Sequence, residues 1–158
     1  MSLISRISTN RDLKIWEGEF PVRYLYTAGV AGERFFREIK DHGTIKGLRC
    51  NECDVVHVPP SIYCDKCYSP LDEWVDVGTK GLLHAFTLSY LNREGSRLGE
   101  PTLMGIIKFQ GTEGALIHRL GEIEPPELQI GMPMEAVFKK PEEREGSILD
   151  ILYFRPLK

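Results

Sequence analysis

Four cysteines are the residues of this chain with the clearest capacity for chemistry. They are Cys50, Cys53, Cys64 and Cys67, spaced C-x2-C-x10-C-x2-C, and the chain contains no others. A two-residue gap lets two thiolates point at one ion from a tight turn. Two such knuckles complete a tetrahedral all-sulfur site, the geometry that zinc prefers. The spacing therefore predicts a structural zinc ion, and it leaves no thiol as a nucleophile and no open coordination position for water.

Other uses of four cysteines remain open. Two disulfides would suit a secreted chain, but the N-terminal segment MSLISRISTN has no apolar core of the length a signal peptide needs. A rubredoxin-like iron site uses the same ligands as zinc. A redox Cys-x-x-Cys normally occurs once, near a βαβ pattern that is not visible here. His57 lies between the two knuckles, and because four sulfurs already fill the metal shell we interpret it as a packing or surface residue.

The composition is that of a folded protein of modest size. The chain has 158 residues, of which 42% are hydrophobic and 27% charged, and no apolar run is long enough for a bilayer span. We therefore expect no membrane insertion and a cytoplasmic location, where thiolates stay reduced. The net charge of −3 disfavours nucleic-acid binding, which calls for a basic surface.

Three domains are predicted, and the first, residues 1–46, is a helical arm. Ala31, Phe35 and Ile39 recur at helical spacing and predict an amphipathic helix that Thr27 caps and Gly43 ends. The stretch before this helix is rich in large apolar residues. Two interpretations stay open for them, burial within the fold or contact with a partner; the residues are Trp16, Phe20, Tyr24, Leu25 and Tyr26.

The remaining two domains are predicted to be mainly β. Residues 47–74 form a rubredoxin-like zinc ribbon, which Leu71 and Trp74 seal against its neighbour. Residues 75–158 contain five strand-like segments with a longer insert between the third and fourth, an order that suits a small Greek-key barrel of the OB type. The predicted strands are 82–91, 103–109, 115–120, 134–139 and 148–154, with a polar loop at 92–101 and a hairpin loop at 110–114. In the first strand, Leu82, Phe86, Leu88 and Tyr90 are predicted to share one side with His84.

The order of arm, ribbon and five-stranded OB-fold barrel resembles a known family across nearly the whole chain. The residues that carry the likeness are 26–36 in the arm, 47–50 and 58–60 around the knuckles, Gly78, Gly81 and 86–87 in the first barrel strand, and 130–132. The chain is similar to the acyl-CoA-associated zinc-ribbon/OB-fold proteins of domain of unknown function 35, of the thiolase-accessory type. Three departures stand out: Asp54 and Tyr68 replace a glycine after each knuckle, and Ser61 replaces an arginine after the double proline.

The resemblance implies an accessory role in metabolism. Such proteins bind acyl-CoA or fatty-acyl groups beside thiolase-like or ketosynthase-like enzymes of lipid, isoprenoid or polyketide metabolism. A CoA ligand calls for cations near its phosphates. The candidates are Arg93 and Arg97 on the loop after the first barrel strand, and Arg34 and Arg37 on the arm helix. Each of the four also fits a solvated surface charge.

Signals of catalysis are absent from the sequence. It has no Gly-x-Ser-x-Gly elbow, no phosphate-binding glycine loop and no dinucleotide fingerprint, so we predict no catalytic residue and no enzyme activity. The alternative to a non-catalytic acyl-CoA-binding subunit is a nucleic-acid-binding ribbon and OB module, with Tyr90 and Phe109 as stacking platforms. A third option is a scaffold without a small ligand.

Overall fold

The computed structural model describes residues 23–92 and 94–157, so Trp16, Phe20 and Arg93 lie outside the described residues. The α-helix α1 spans Gly29–His42 and buries Ala31, Phe35 and Ile39, as predicted. The prediction that Thr27 caps the helix was wrong by one residue, because Ala28 is the N-cap and has no capping side chain. Thr27 instead accepts a hydrogen bond from the Gly29 amide at 3.1 Å, and left-handed Gly43 ends the helix as predicted. No helix in the described part of the chain has both the length and the apolar character needed to cross a membrane.

Among the described residues, nine strands follow the helix and form two sheets. The strands are β1 Lys46–Cys50, β2 Val55–His57, β3 Glu73–Asp76, β4 Lys80–Leu91, β5 Arg97–Lys108, β6 Thr112–Glu113, β7 Leu116–Arg119, β8 Pro133–Phe138 and β9 Ile151–Pro156. The ribbon sheet has the order β3-β1-β2-β6, and the barrel sheet has the order β7-β5-β4-β8-β9. All pairs in the barrel sheet are antiparallel.

A parallel bridge between Leu120 and Phe154 joins the two ends of the second sheet. The sheet therefore closes on itself, and its first strand pairs with both the second and the fourth. This connectivity is that of the OB fold, so the predicted zinc ribbon followed by a five-stranded OB-fold barrel is confirmed.

A bulge in β4 changes which side chains face the barrel interior. The register with β5 shifts between Leu83 and Ala85, so His84 is the extra residue. Before the bulge Leu83 is fully buried and Leu82 is 52% exposed; after it Phe86 and Leu88 pack on the core. The prediction that Leu82 shares one side of the strand with Phe86 and Leu88 was therefore wrong, because an inserted residue reverses the alternation of side chains along a strand.

Two predicted element boundaries were also wrong. Arg97 was placed in a loop, but β5 already begins there and pairs Arg97 with Leu91. Residues 148–150 were placed in the last strand, but they form a 3-10 turn capped by the Ser147 side chain, which accepts from the Leu149 amide at 3.0 Å.

The ribbon and the barrel are joined by the short strand β6, which had been predicted as a hairpin loop. It runs parallel to β2, pairing Val56 with Thr112 and His57 with Glu113. The Val58 amide donates to the Glu113 carbonyl at 2.9 Å, and Lys66 Nζ lies 2.5 Å from the Glu113 carboxylate. The tip of the β5–β7 hairpin is therefore the outer strand of the ribbon sheet.

Two apolar clusters meet at this junction. The larger contains the barrel interior together with Phe35 and Ile39 of the helix and Val56 of the ribbon. The smaller contains Ala31, Leu48, Cys50, Cys64 and Leu71, and Trp74 packs against both clusters. Trp74 thus has the predicted sealing position, whereas Leu71 lies in the ribbon cluster alone. The helix packs its apolar stripe on its own chain.

Substitution of Gly114 should show how tightly the hairpin tip fits the ribbon. Gly114 has φ 85, and a Cβ there would collide with the Val58 carbonyl oxygen, whereas Gly111 has φ 71 and open space around it. We expect Gly114→Ala to cost about 2 kcal/mol more unfolding free energy than Gly111→Ala, because only the former adds a steric clash to the backbone strain. Urea denaturation of both variants measures the difference, and equal costs would contradict the described junction.

Candidate metal centre and ligand surfaces

The two knuckles bring the four cysteines together as the spacing predicts. Strand β1 ends at Cys50, and tight turns carry the other three cysteines. All four sulfurs lie within 4.8 Å of one another. The Cys50 and Cys67 sulfurs are 3.5 Å apart, and those of Cys53 and Cys64 are 4.0 Å apart. Tetrahedral zinc–thiolate bonds place the sulfurs about 3.8 Å from one another, so the cluster is positioned to bind a zinc ion.

The four thiols differ in exposure and in acidity. Cys50 and Cys64 are buried, Cys53 is half-buried and Cys67 is exposed. A hydrogen bond with Cys67, together with burial, raises the pKa of Cys53 to about 12. Hydrogen bonding with the Ser69 hydroxyl, whose oxygen lies 3.3 Å from the Cys67 sulfur, and with the Ser69 backbone lowers the pKa of Cys67 to about 6. Because a metal must displace the thiol protons, zinc affinity is expected to rise with pH.

The residues after the knuckles adopt a backbone conformation that favours glycine. Asp54 has φ 52 and Tyr68 has φ 61. At Tyr68 this conformation points the amide back at the Cys64 carbonyl, with an N···O distance of 3.0 Å. A side chain in the left-handed region is strained, so these two sequence departures have a structural cost.

Tyr68→Gly should therefore stabilise the ribbon. We expect a gain of about 1 kcal/mol, the relief of left-handed strain less the added entropy of the unfolded chain. Tyr68 is exposed, so little packing is lost. Tyr68→Ala is the matched control, since it removes the same ring but keeps the strained Cβ and should show no gain. Thermal unfolding of the zinc-loaded proteins measures both changes in stability. If Tyr68→Ala were stabilised as much as Tyr68→Gly, left-handed strain could not be the cause.

His57 lies next to the metal centre and is buried, in agreement with its interpretation as a packing residue. Its Nδ1 is 3.7 Å from the Asp65 carboxylate, and a ring nitrogen, the Cys64 sulfur and an Asp65 oxygen lie within 4.8 Å of one another. The neighbourhood of Asp65 could not be read from the spacing, because it depends on how the second knuckle turns.

The structure places two of the candidate cations, Arg34 and Arg37, on α1 and a third, Arg97, on β5. The Arg34 guanidinium lies 4.6 Å above the centre of the Trp74 ring. Arg37 Nε donates to Glu33 on the preceding helical turn at 2.9 Å. Arg97 lies at the start of β5, in the barrel. Arg34 and Arg37 thus each have an internal partner, and a ligand role for any of the arginines stays a prediction.

The outside of the barrel carries an apolar groove that the sequence patterns did not predict. It lies where β5, β7 and the start of β9 turn side chains away from the barrel interior. One part has a volume of about 460 Å³, and an adjoining part of about 270 Å³ shares Met104 and Ile117 with it. We call it the outer groove and define it by Met104, Ile106, Ile117, Leu149 and Leu152. No single segment of the sequence shows which side chains of β5 face outward, or that residues 148–152 lie beside them.

His118 lies in the wall of the outer groove and connects two of the segments that form it. It is buried, and its Nε2 lies 3.2 Å from the Ile148 carbonyl oxygen, which ties β7 to the turn before β9. Burial lowers the pKa of His118, so the ring is neutral at pH 7.

Comparison with known proteins agrees with this architecture. Residues 37–73 match the model of the ChsH2 rubredoxin-like zinc ribbon domain. Residues 74–139 match the model of the ChsH2 C-terminal OB-fold domain. The two matches adjoin and cover both the metal centre and most of the barrel. The chain belongs to the DUF35 family of zinc-ribbon/OB-fold proteins.

Three DUF35 proteins illustrate the likeness. A DUF35 domain-containing scaffold protein of Methanocaldococcus jannaschii is 27% identical over 129 residues, which are 79% of this chain and 90% of that protein. A DUF35 protein of unknown function from Sulfolobus solfataricus has a TM-score of 0.63 and 23% identity, covering 81% of this chain and 84% of its own. A chain of the Ltp2-ChsH2(DUF35) aldolase has a TM-score of 0.57 and 21% identity, covering 78% of this chain and 93% of its own.

Proposed function

We propose that this DUF35 protein is a non-catalytic accessory subunit. It binds acyl-CoA or a fatty-acyl group and works with a thiolase-like or ketosynthase-like enzyme of lipid, isoprenoid or polyketide metabolism in the cytoplasm. The observation that carries the proposal is the match to a scaffold protein over 90% of that protein's length. The likeness to a chain of an aldolase named with two components, Ltp2 and ChsH2, supports a role beside an enzyme.

The chemistry of the metal centre supports a structural role. Four sulfurs complete the coordination shell of zinc, so no position is left for a water molecule or a substrate. Each buried histidine has one ring nitrogen beside a structural neighbour: His118 Nε2 lies 3.2 Å from the Ile148 carbonyl oxygen, and His57 Nδ1 lies 3.7 Å from the Asp65 carboxylate. We therefore assign no catalytic residue and expect no thioester turnover by the isolated chain.

The segment before α1 supports contact with a partner protein. Tyr24, Leu25, Tyr26 and Val30 are all strongly exposed, and the rings of Tyr24 and Tyr26 stack on each other at 5.9 Å. Adjacent exposed apolar residues of this size commonly mark an interface. In our proposal the arm and the ribbon dock on the enzyme, while the barrel is left to hold the acyl ligand.

The outer groove is the part of the barrel best suited to an acyl group. Its lining is mostly apolar, and Ile117 within it is 67% exposed. An acyl chain or a pantetheine arm buried there would gain hydrophobic free energy. The nucleic-acid alternative is less well supported, because the proposed stacking residue Phe109 is buried in the core and only Tyr90 is exposed.

Calorimetric titration of the full chain with acetyl-CoA and with octanoyl-CoA, alone and with a thiolase-like enzyme, tests the proposal. We expect Ile117→Glu to weaken binding about tenfold or more, because a carboxylate would be buried against the acyl chain. Leu82→Glu is the matched control, an exposed apolar residue of β4 that does not line the groove. Absence of binding in both settings rejects the acyl-CoA role. Salt-sensitive filter binding of single-stranded DNA would favour the alternative instead.

A further inference from the structure

The four cysteines of the metal centre are not equivalent toward reagents in solution. Cys67 is exposed, whereas Cys50 and Cys64 are buried and Cys53 is half-buried. An oxidant that approaches the centre from solvent therefore meets the Cys67 sulfur first. Oxidation of a cysteine follows both its thiolate character and its access, and a zinc ligand is already a thiolate.

A second cysteine is in place to react with an oxidised Cys67. The Cys50 sulfur lies 3.5 Å from the Cys67 sulfur, and it comes from the other knuckle. A sulfenic acid is converted to a disulfide when a neighbouring thiolate attacks it. We propose that Cys67 is the site at which a hydroperoxide oxidises the zinc centre, and that Cys50 completes the reaction as a Cys50–Cys67 disulfide that releases the metal.

The reaction balances with the hydroperoxide as the oxidant. The Cys67 thiolate attacks a peroxide oxygen, the O–O bond breaks, and a sulfenic acid and a hydroxide or alkoxide ion result. The Cys50 thiolate then attacks the Cys67 sulfur, the S–O bond breaks, and hydroxide leaves. Two thiolates have lost two electrons to one peroxide. Only the Cys53 and Cys64 sulfurs would then remain to hold zinc, and because a structural site needs four ligands the metal would be released.

The position of this disulfide makes the change reversible. It would link the first knuckle to the second, so the two halves of the ribbon stay tethered after the metal is lost. A thiol reductant can then reach the exposed Cys67 sulfur and restore both thiolates. The inference concerns the metal centre alone and does not depend on the proposed acyl-CoA role.

The first test treats the zinc-loaded full chain with hydrogen peroxide and follows zinc release with a chromogenic chelator. Dimedone trapping and peptide mass mapping identify the modified cysteines. We expect the first dimedone adduct at Cys67, a Cys50–Cys67 disulfide in the product, and recovery of zinc binding after reduction. A first adduct at Cys53, a dominant disulfide within one knuckle, or zinc retained at millimolar peroxide would overturn the proposal.

Two histidine variants provide a matched comparison, since three cysteines and one histidine also make a zinc site. Cys67→His removes the proposed site of attack, whereas Cys53→His removes a less exposed thiol and leaves Cys67 in place. We expect peroxide to release zinc about tenfold more slowly from Cys67→His than from the wild type, and at a near wild-type rate from Cys53→His. Equal rates for the two variants would overturn the proposal. If a variant does not hold zinc, the mapping of the wild-type chain decides alone.

Discussion

Removal of zinc is expected to unfold the ribbon, residues 46–76, while α1 and the barrel keep most of their order. The apolar cluster of the ribbon is small, and two of its members, Cys50 and Cys64, are themselves metal ligands. So few buried groups cannot offset the entropy of ordering the chain. Structural zinc contributes on the order of 10 kcal/mol of apparent free energy to such modules, which makes this the largest effect that we predict.

Amide hydrogen exchange of the zinc-loaded and chelator-treated chains measures the effect by region. We expect protection to be lost in β1, β2 and β3, and also in β6, because that strand is the outer member of the ribbon sheet. Cys50→Ser should reproduce the chelated state without a chelator, whereas Asp72→Asn, a change at an exposed residue of the ribbon, should not. Undiminished protection of β1 after complete zinc removal would show that the ribbon does not need its metal.

Asp150→Asn is expected to destabilise the protein by about 3 kcal/mol, the second largest effect. The Asp150 side chain is 0% exposed. It accepts hydrogen bonds from the amides of Glu145, Gly146 and Ser147 at 2.7–3.1 Å. Lys139 Nζ lies 3.5 Å away. An asparagine keeps the size but turns an NH2 group toward backbone donors, so partly buried amides lose an acceptor.

The unfolding free energy lost in Asp150→Asn should become smaller as the pH falls. Burial of Asp150 raises its pKa, but the backbone amides and Lys139 outweigh this and hold the pKa below its ordinary value of 3.8. A carboxyl with a lowered pKa contributes stability that is complete above 3.8 and is lost as the pH falls through the pKa of the folded state. The difference between wild type and Asp150→Asn should thus be constant near pH 7 and shrink in acid.

Urea denaturation at several pH values measures this difference. Glu142→Gln is the matched control, because Glu142 is an exposed carboxylate eight positions earlier in the chain. It should change the unfolding free energy by less than about 0.5 kcal/mol at any pH. An Asp150→Asn difference that grows in acid would contradict the assigned hydrogen bonds.

The metal centre and the fold class could be predicted because their sequence patterns can be recognised without knowing the contacts between distant segments. Four cysteines with knuckle spacing define a tetrathiolate site without knowledge of the rest of the chain. The period of Ala31, Phe35 and Ile39 defines the buried face of α1 in the same way. The number and order of apolar segments were sufficient for the OB barrel.

The features that the sequence did not reveal depend on contacts between distant segments. Strand β6 consists of Thr112 and Glu113, whose polar character is typical of a loop, and it is a strand only because β2 lies beside it. The bulge at His84 reverses the alternation that a pattern assumes to be continuous. The outer groove combines β5, β7 and residues 148–152, and Asp150 resembles any charged turn residue until its burial is known.

The most direct test of the account is purification of the tagged full chain from its native cell, with identification and quantification of the recovered proteins by mass spectrometry. The proposal of a metal-stabilised accessory subunit predicts a thiolase-like or ketosynthase-like enzyme in stoichiometric amount. Recovery of the chain without such an enzyme, together with thioester turnover by the chain itself, would contradict it.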